Sequence, residues 1–250
     1  MFPIRDHNPS LRTPYVTYAL IAINVIVFIG YWGLFSSEAR LAAFFDDWAL
    51  TPAEFSRGIE SYTIVSSMFL HGGIMHLLGN MLFLFIFGDN LEDAFGHVGF
   101  LLFYLASGVL AALAQIVPDP NSMVPMVGAS GAIAGVMGGY LLLFPKARVD
   151  VLVILIIIIR IFTVPAWVML GFWFALQSFS GFSTLGAEGG GVAYLAHVGG
   201  FVAGVVLALP WFLRAGGTTF WRRNHGHPPH PETKIVPRQS TIPTVRRRRR

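Results

Sequence analysis

Gly128-Ala129-Ser130-Gly131-Ala132-Ile133-Ala134-Gly135-Val136-Met137-Gly138-Gly139-Tyr140-Leu141-Leu142-Leu143-Phe144 carries no charge and opens on a serine. Glycines at 131, 135 and 139 fall on one face of a helix, and small residues at that spacing let a second membrane helix approach backbone to backbone. The stretch reads as a membrane helix from Ser130 to about Phe144. It is short for a span, so either it starts below the membrane surface or the bilayer thins locally.

The rest of the chain has the same character. Of its 250 residues 54% are hydrophobic and 12% are charged, with a mean hydropathy of +0.63. Several stretches reach the ~20 apolar residues of a spanning helix. The basic pI belongs to the tail: Arg214 to Arg250 holds ten bases and one acid, while the remainder has seven bases and twelve acids. Nucleic-acid binding is therefore not the reading of that charge. Cysteine is absent, which excludes disulfides, thiolate metal sites and cysteine nucleophiles. The first apolar run has spanning length and no small-residue cleavage site, so no cleavable signal peptide is expected.

The expected order is a polar arm over residues 1–13, a membrane domain over 14–213 and a basic tail without structure over 214–250. Thr13-Pro14 reads as N-cap and first-turn proline of a first span ending near Leu34. A long acidic loop, Phe35 to Gly72, carries Trp48, Phe55 and Tyr62 and suits the membrane interface. The second span is expected from Gly73 to Ala94 and the third from Val98 to Val117. The fourth opens at Ser130. Val151 to Ile159 is β-branched and ends at Arg160, and reads as an interfacial or hairpin segment before a fifth span over Val164 to Phe179. The alternative, one helix over Val151 to Gly171, would put Arg160 at mid-membrane at high cost. A Gly/Ser-rich loop, Ser180 to Gly191, precedes the sixth span, Val192 to Leu213. The fold class is thus an all-α polytopic membrane protein, a bundle of six spans. Basic residues in the arm, at Lys146 and Arg148, and in the tail place both termini in the cytoplasm of a cell (inner) membrane protein.

With that orientation the second, fourth and sixth spans all run inward from the outer face. His76 and Asn80 lie in the first turns of the second span, on one helix face. Ser130 opens the fourth and His197 lies in the second turn of the sixth. Polar groups inside a membrane are expensive, and such a cluster is read first as a functional site. The Ala196, Gly200, Gly204, Ala208 stripe faces the glycine stripe of the fourth span and can bring His197 to Ser130. An imidazole in reach of a serine hydroxyl takes its proton as general base. The N–H groups at the start of the fourth span, the Asn80 amide and His76 are candidate donors to an oxyanion.

Taken singly these features are bland. Gly-x-Ser-Gly and Gly/Ala stripes are common where helices pack, and a lone membrane histidine often bonds a carbonyl. His71 reads as a structural loop-to-helix residue and His97 as a solvated turn residue. Glu92, in Gly88-x-x-x-Glu92-x-x-x-Gly96, reads as a cap or cross-link at the inner end of the second span. His225, His227 and His230 lie in the tail, and Arg246–Arg250 reads as an anchor to anionic lipid. Ser130, His197, His76 and Asn80 at equal depth on parallel helices are far less common as a set.

Together, His76-Leu77-Leu78-Gly79-Asn80, Gly88…Glu92…Gly96, Gly128-Ala129-Ser130-Gly131 and Ala196-His197-x-x-Gly200-x-x-x-Gly204 resemble the rhomboid family of intramembrane serine proteases. The match in order and spacing covers Ser66 to Ala208. The resemblance implies Ser130 as nucleophile and His197 as its base, in a dyad without an acidic member. It implies an oxyanion hole of His76, Asn80 and the Ser130 backbone, and structural or packing roles for Glu92, Gly128, Gly131, Gly200 and Gly204. It also implies cleavage of the transmembrane segments of other membrane proteins near the outer face, without metal or cofactor, and a fifth helix that gates lateral access. Two departures stand out. Tyr62-Thr63 replaces a Trp-Arg pair of the first loop, and Ala134 stands where some relatives carry an aromatic that stacks on the histidine.

Two other classes compete. A catalytically silent relative that binds membrane clients is expected to lack the serine or the histidine, and this chain has both. A haem or carrier protein would use His71, His76 and His197, but His71 and His76 are five apart and do not share a helix face. The His-Glu-x-x-His of a metalloprotease is absent.

Overall fold

The computed structural model describes residues 2–155, 158–183 and 193–228. The protein is mostly helical. The main elements are β1 (Phe2–Asp6), α1 (Tyr15–Tyr31), α2 (Glu38–Trp48), α3 (Ile74–Ile116), α4 (Ser130–Leu143), β2 (Arg148–Leu155), β3 (Ile158–Pro165), α5 (Ala166–Ser183), α6 (Tyr194–Arg214) and α7 (Thr218–Asn224). Among the described residues three helices are long and apolar enough to cross a membrane: Tyr15–Ser36, which runs through a 3-10 turn after α1, then Ile74–Ile116 and Tyr194–Arg214. The protein is a multi-pass membrane protein.

The 43-residue α3 holds the second and third expected spans, separated at Gly96 with φ 73° and ψ 164°. That backbone conformation suits glycine, which has no Cβ to clash. α4 occupies the centre. Ala132 to Tyr140 and Leu143 are all buried against α3 and α6. Its 14 residues make it about 21 Å long at 1.5 Å per residue, against the ~30 Å of a bilayer core. A helix sheathed by protein on all sides need not match the bilayer, so α4 can begin well inside the bundle.

α4 and α6 run parallel in close contact. A Cβ on Gly200 would overlap the Gly131 carbonyl, and one on Gly204 would overlap the Gly135 carbonyl. Contact advances four residues on both helices together, so their N-termini lie at one end.

The opposite end is closed by a sheet that joins the N-terminal arm to the segment after α4. β1, β2 and β3 form an antiparallel sheet in that order. The chain takes the hairpin of the two alternatives for 151–160: Val153 pairs with Arg160 and Arg148 with Pro165, and Arg160 is exposed. The arm, expected to be merely polar, adds β1 through pairs such as Arg5 with Asp150. Asp150 accepts from Arg5 Nε at 2.9 Å and Thr163 Oγ1 at 2.5 Å, and contacts His7 Nε2 at 2.8 Å.

The tail is expected without structure from Arg214 onward, but its described part, which ends at residue 228, turns back as α7. Phe220 and Trp221 pack on Phe212, and Trp221 Nε1 donates to the Leu142 carbonyl at 2.9 Å. Two adjacent aromatics supply the apolar area that the surrounding Arg and His residues lack. His230, the Arg246–Arg250 run, and positions 184–192 of the fifth-to-sixth connection lie outside the described residues.

Two further expectations change. The region from Phe35 to Gly72 is not a plain loop: Leu41, Phe44 and Phe45 of α2 pack against Phe28 and Tyr31 of α1. Thr13 does not cap α1, whose capping position is Pro14 with no side-chain bond. Glu92 serves instead: it accepts from the N–H groups of Val16 and Thr17 at 2.9 and 2.8 Å. His97, expected to be merely solvated, pairs with the same carboxylate through Nδ1.

Candidate active site

Ser130 is positioned from the loop before it. Leu50 and Met126 exchange backbone hydrogen bonds at 3.1 and 2.9 Å, Ala53 N–H donates to Ser122 O at 3.0 Å, and Gly128 N–H donates to Ser67 O at 2.9 Å. The first long loop thereby holds the 122–128 segment so that α4 starts with the serine. Gly128 has φ +131°, and a Cβ there would lie 2.9 Å from Cε1 and Nε2 of His76 and 3.5 Å from Ser130 Oγ. The glycine makes room for the His76 ring, while the serine hydroxyl would lie at ordinary contact distance.

α6 brings the base. His197 Nε2 and Ser130 Oγ are 2.8 Å apart, within hydrogen-bond range. The other ring nitrogen, Nδ1, is 2.7 Å from Oε1 of Gln177. An amide oxygen only accepts, so Nδ1 carries the proton and Nε2 presents its lone pair to the serine hydroxyl. The Trp173 ring lies 5.8 Å from the His197 ring, tilted by 36°. Trp173 and Gln177 are one turn apart on α5 and share a face.

His76 reaches the same end of the bundle from the first turn of α3, and its Nδ1 accepts from the Gly72 N–H at 3.4 Å. That bond leaves the Nε2 proton, on the nitrogen nearer Gly128, to be donated elsewhere. Asn80 is on the same helix face and buried, and its amide nitrogen has no hydrogen-bond partner among the described residues. An unmet buried donor is costly unless something accepts from it. The N-terminus of α4 adds backbone N–H groups without helical partners.

A small cavity of about 40 Å³ adjoins Ser130, with Gly108, Ala111, Gly131 and Ala196 in its wall. His71 is fully buried beside His76, ring centroids 5.1 Å apart, and its main chain both donates to and accepts from the Tyr31 hydroxyl. Among the described residues no three His, Asp or Glu side chains converge as a metal site.

Sequence reading singled out Ser130, His197, His76 and Asn80. The first three meet at one end of the bundle, and Asn80 lies one turn further along α3 from His76. It missed Gln177 and Trp173. Ala134 lacks a ring to offer the histidine, and Trp173 packs on it from another helix. The available signal for Gln177 was an uncharged amide within the apolar run from Ala166 to Phe179.

The profile of the Rhomboid domain matches residues 59–214. The chain is 30% identical over 204 residues to Rhomboid protein 1, mitochondrial, of Saccharomyces cerevisiae, covering 79% of this chain and 53% of that protein. It is 34% identical over 131 residues to the putative rhomboid protease YdcA of Bacillus subtilis, covering 51% and 61% respectively. It is 31% identical over 205 residues to the rhomboid protease GluP of the same organism, covering 79% and 36%. The chain spans between about a third and three fifths of the length of these relatives. With a domain match across most of its length and relatives at 30% identity or more, the chain belongs to the rhomboid family.

Proposed function

We propose that the protein is an intramembrane serine endopeptidase that hydrolyses peptide bonds in or near the transmembrane segments of other membrane proteins. The observation that carries this reading is the 2.8 Å approach of His197 Nε2 to Ser130 Oγ at the start of a buried helix. Ser130 Oγ bonds to the scissile carbonyl carbon as its proton passes to His197 Nε2 and the carbonyl π pair moves onto oxygen. The intermediate collapses, the C–N bond breaks, and the amine leaves with the proton from Nε2. Water then attacks the acyl ester with His197 again as base, releasing the acid and restoring the serine. His76 Nε2–H, the Asn80 amide and the Ser130 N–H stabilise the oxyanion, each such donor being worth about 3 kcal/mol in the transition state.

In this reading α1, the two arms of α3, α4, α5 and α6 make six crossings. The sheet, α7 and both termini face the cytoplasm, and Ser130 faces the outer side of the cell membrane. The test is labelling of the purified protein with a serine-reactive phosphonate, alongside cleavage of a single-span reporter in liposomes. Ser130→Ala and His197→Ala are expected to abolish cleavage, and Ser130→Ala also labelling. Full activity in Ser130→Ala refutes the proposal.

A further inference from the structure

The geometry points to Gln177 as a positioning residue for the base: its carboxamide oxygen fixes the Nδ1–H tautomer of His197 and the direction in which Nε2 faces Ser130. This inference rests on the reading of Ser130 and His197 as the catalytic pair. A neutral imidazole has two tautomers, and only the one with a bare Nε2 can take the serine proton. Nothing in the Ser130–His197 contact itself chooses between them, because a hydroxyl both donates and accepts. The choice is made at the other nitrogen, where Gln177 Oε1 lies 2.7 Å from Nδ1.

The chemistry of the site explains why an amide suits this place. A carboxylate would bring a formal charge into a helix bundle within the bilayer, where desolvation is costly. A carboxamide accepts the same hydrogen bond while remaining neutral. Trp173 completes the hold: its ring packs against His197 and also lies 6.2 Å from Phe201, one turn further along α6. Both holding groups come from α5, whose Phe172, Leu176 and Phe179 are exposed on the outside of the bundle. The orientation of the base thus depends on a helix that contributes neither the nucleophile nor the oxyanion donors.

The test uses the full-length protein in liposomes with the single-span reporter. Gln177→Leu, which fills similar space without an acceptor, is expected to lower kcat by roughly tenfold to a hundredfold, the loss typical when the group that orients a metal-binding histidine is removed. KM is expected to stay unchanged. Gln177→Glu, which restores an acceptor oxygen at the expense of an added charge, is expected to restore the Nδ1-protonated ring even where turnover stays reduced. Nitrogen-15 spectra of histidine-labelled protein, with His197→Ala to assign the ring, supply a readout independent of turnover. Wild-type protein should show His197 protonated at Nδ1, and Gln177→Leu should show the two tautomers mixed. A Gln177→Leu enzyme with unaltered kcat, an unaltered His197 spectrum, or a Gln177→Glu spectrum with the tautomers still mixed overturns the inference. If Ser130→Ala still cleaves, the catalytic reading itself fails, and that result is separate from any of these.

Discussion

Glu92 and Thr17 are joined twice. One carboxylate oxygen of Glu92 accepts the Thr17 backbone N–H at 2.8 Å and the Thr17 hydroxyl at 2.7 Å. The other accepts the Val16 N–H at 2.9 Å and faces His97. A buried acid of α3 therefore caps α1, meeting donors that a helix start cannot satisfy internally and placing negative charge where the helix dipole favours it. Glu92→Ala leaves those donors without their acceptor, and losing a side chain that caps a helix costs about 0.5–2 kcal/mol. The expected outcome is a clear fall in the thermal midpoint, read by unfolding in detergent. Because this cap sits at the end of the bundle opposite Ser130, phosphonate labelling per folded molecule should be unchanged.

Asp150 makes the sheet sensitive to acid. Hydrogen bonding to Thr163, then contact with His7 and Arg5, holds its carboxyl below the usual range, at about 2. A folded-state pKa below the unfolded value means that the stabilisation is fully present above the ordinary carboxylate range and is lost as pH falls through the folded value. Pairing of β1 with β2 should therefore persist from neutral pH down to about pH 4 and weaken between there and about pH 2. Hydrogen exchange at the amides of Ile4 and Arg5 measures it. Asp150→Asn should weaken the arm at neutral pH and flatten the acid dependence.

How much of this was legible in sequence follows from what each residue type costs in a membrane. Ser130, His197 and His76 stand out because polar groups are expensive there, and the glycine stripes foretell the α4–α6 contact. Gln177 gave little signal, since a neutral amide disturbs an apolar helix far less than a charge and no fixed spacing ties it to His197. β1 was hidden because five residues at a chain end have no period of their own, and its pairing is with residues some 145 positions away. The arginines and prolines of the tail outweighed the Phe220-Trp221 pair that draws α7 onto the bundle. Helix α2 was masked by its acids and aromatics, although Leu41, Phe44, Phe45 and Trp48 follow helical spacing.

Gly204 tests how tightly the Ser130–His197 contact depends on backbone approach. A Cβ at 204 has no flexible side chain to displace, only the carbonyl and Cα of Gly135. Gly204→Ala must push α4 and α6 apart, and a shift near 1 Å at a catalytic pair costs on the order of 100-fold in rate. Overpacking of this kind also costs about 1–3 kcal/mol of stability. Reporter cleavage and thermal unfolding should fall together. The same change at Gly79, which has open space around its Cβ position, should leave both nearly intact.

Gly128 separates the oxyanion donors from the base. Alanine there meets the His76 ring at 2.9 Å and must also adopt φ +131°, where an L residue is strained. The Ser130–His197 contact is made by α4 and α6 and does not pass through this position. Gly128→Ala should therefore move His76 while leaving the nucleophile and base in contact. Losing one oxyanion donor costs about 10²–10³ in kcat, and KM should change little because the donor's partner exists mainly in the transition state. His76→Ala should produce a loss of similar size, and the double substitution should add little to either alone, since both remove the same donor. Steady-state cleavage of the reporter by the three variants measures this. Full additivity of the two losses would show that Gly128 acts through something other than His76.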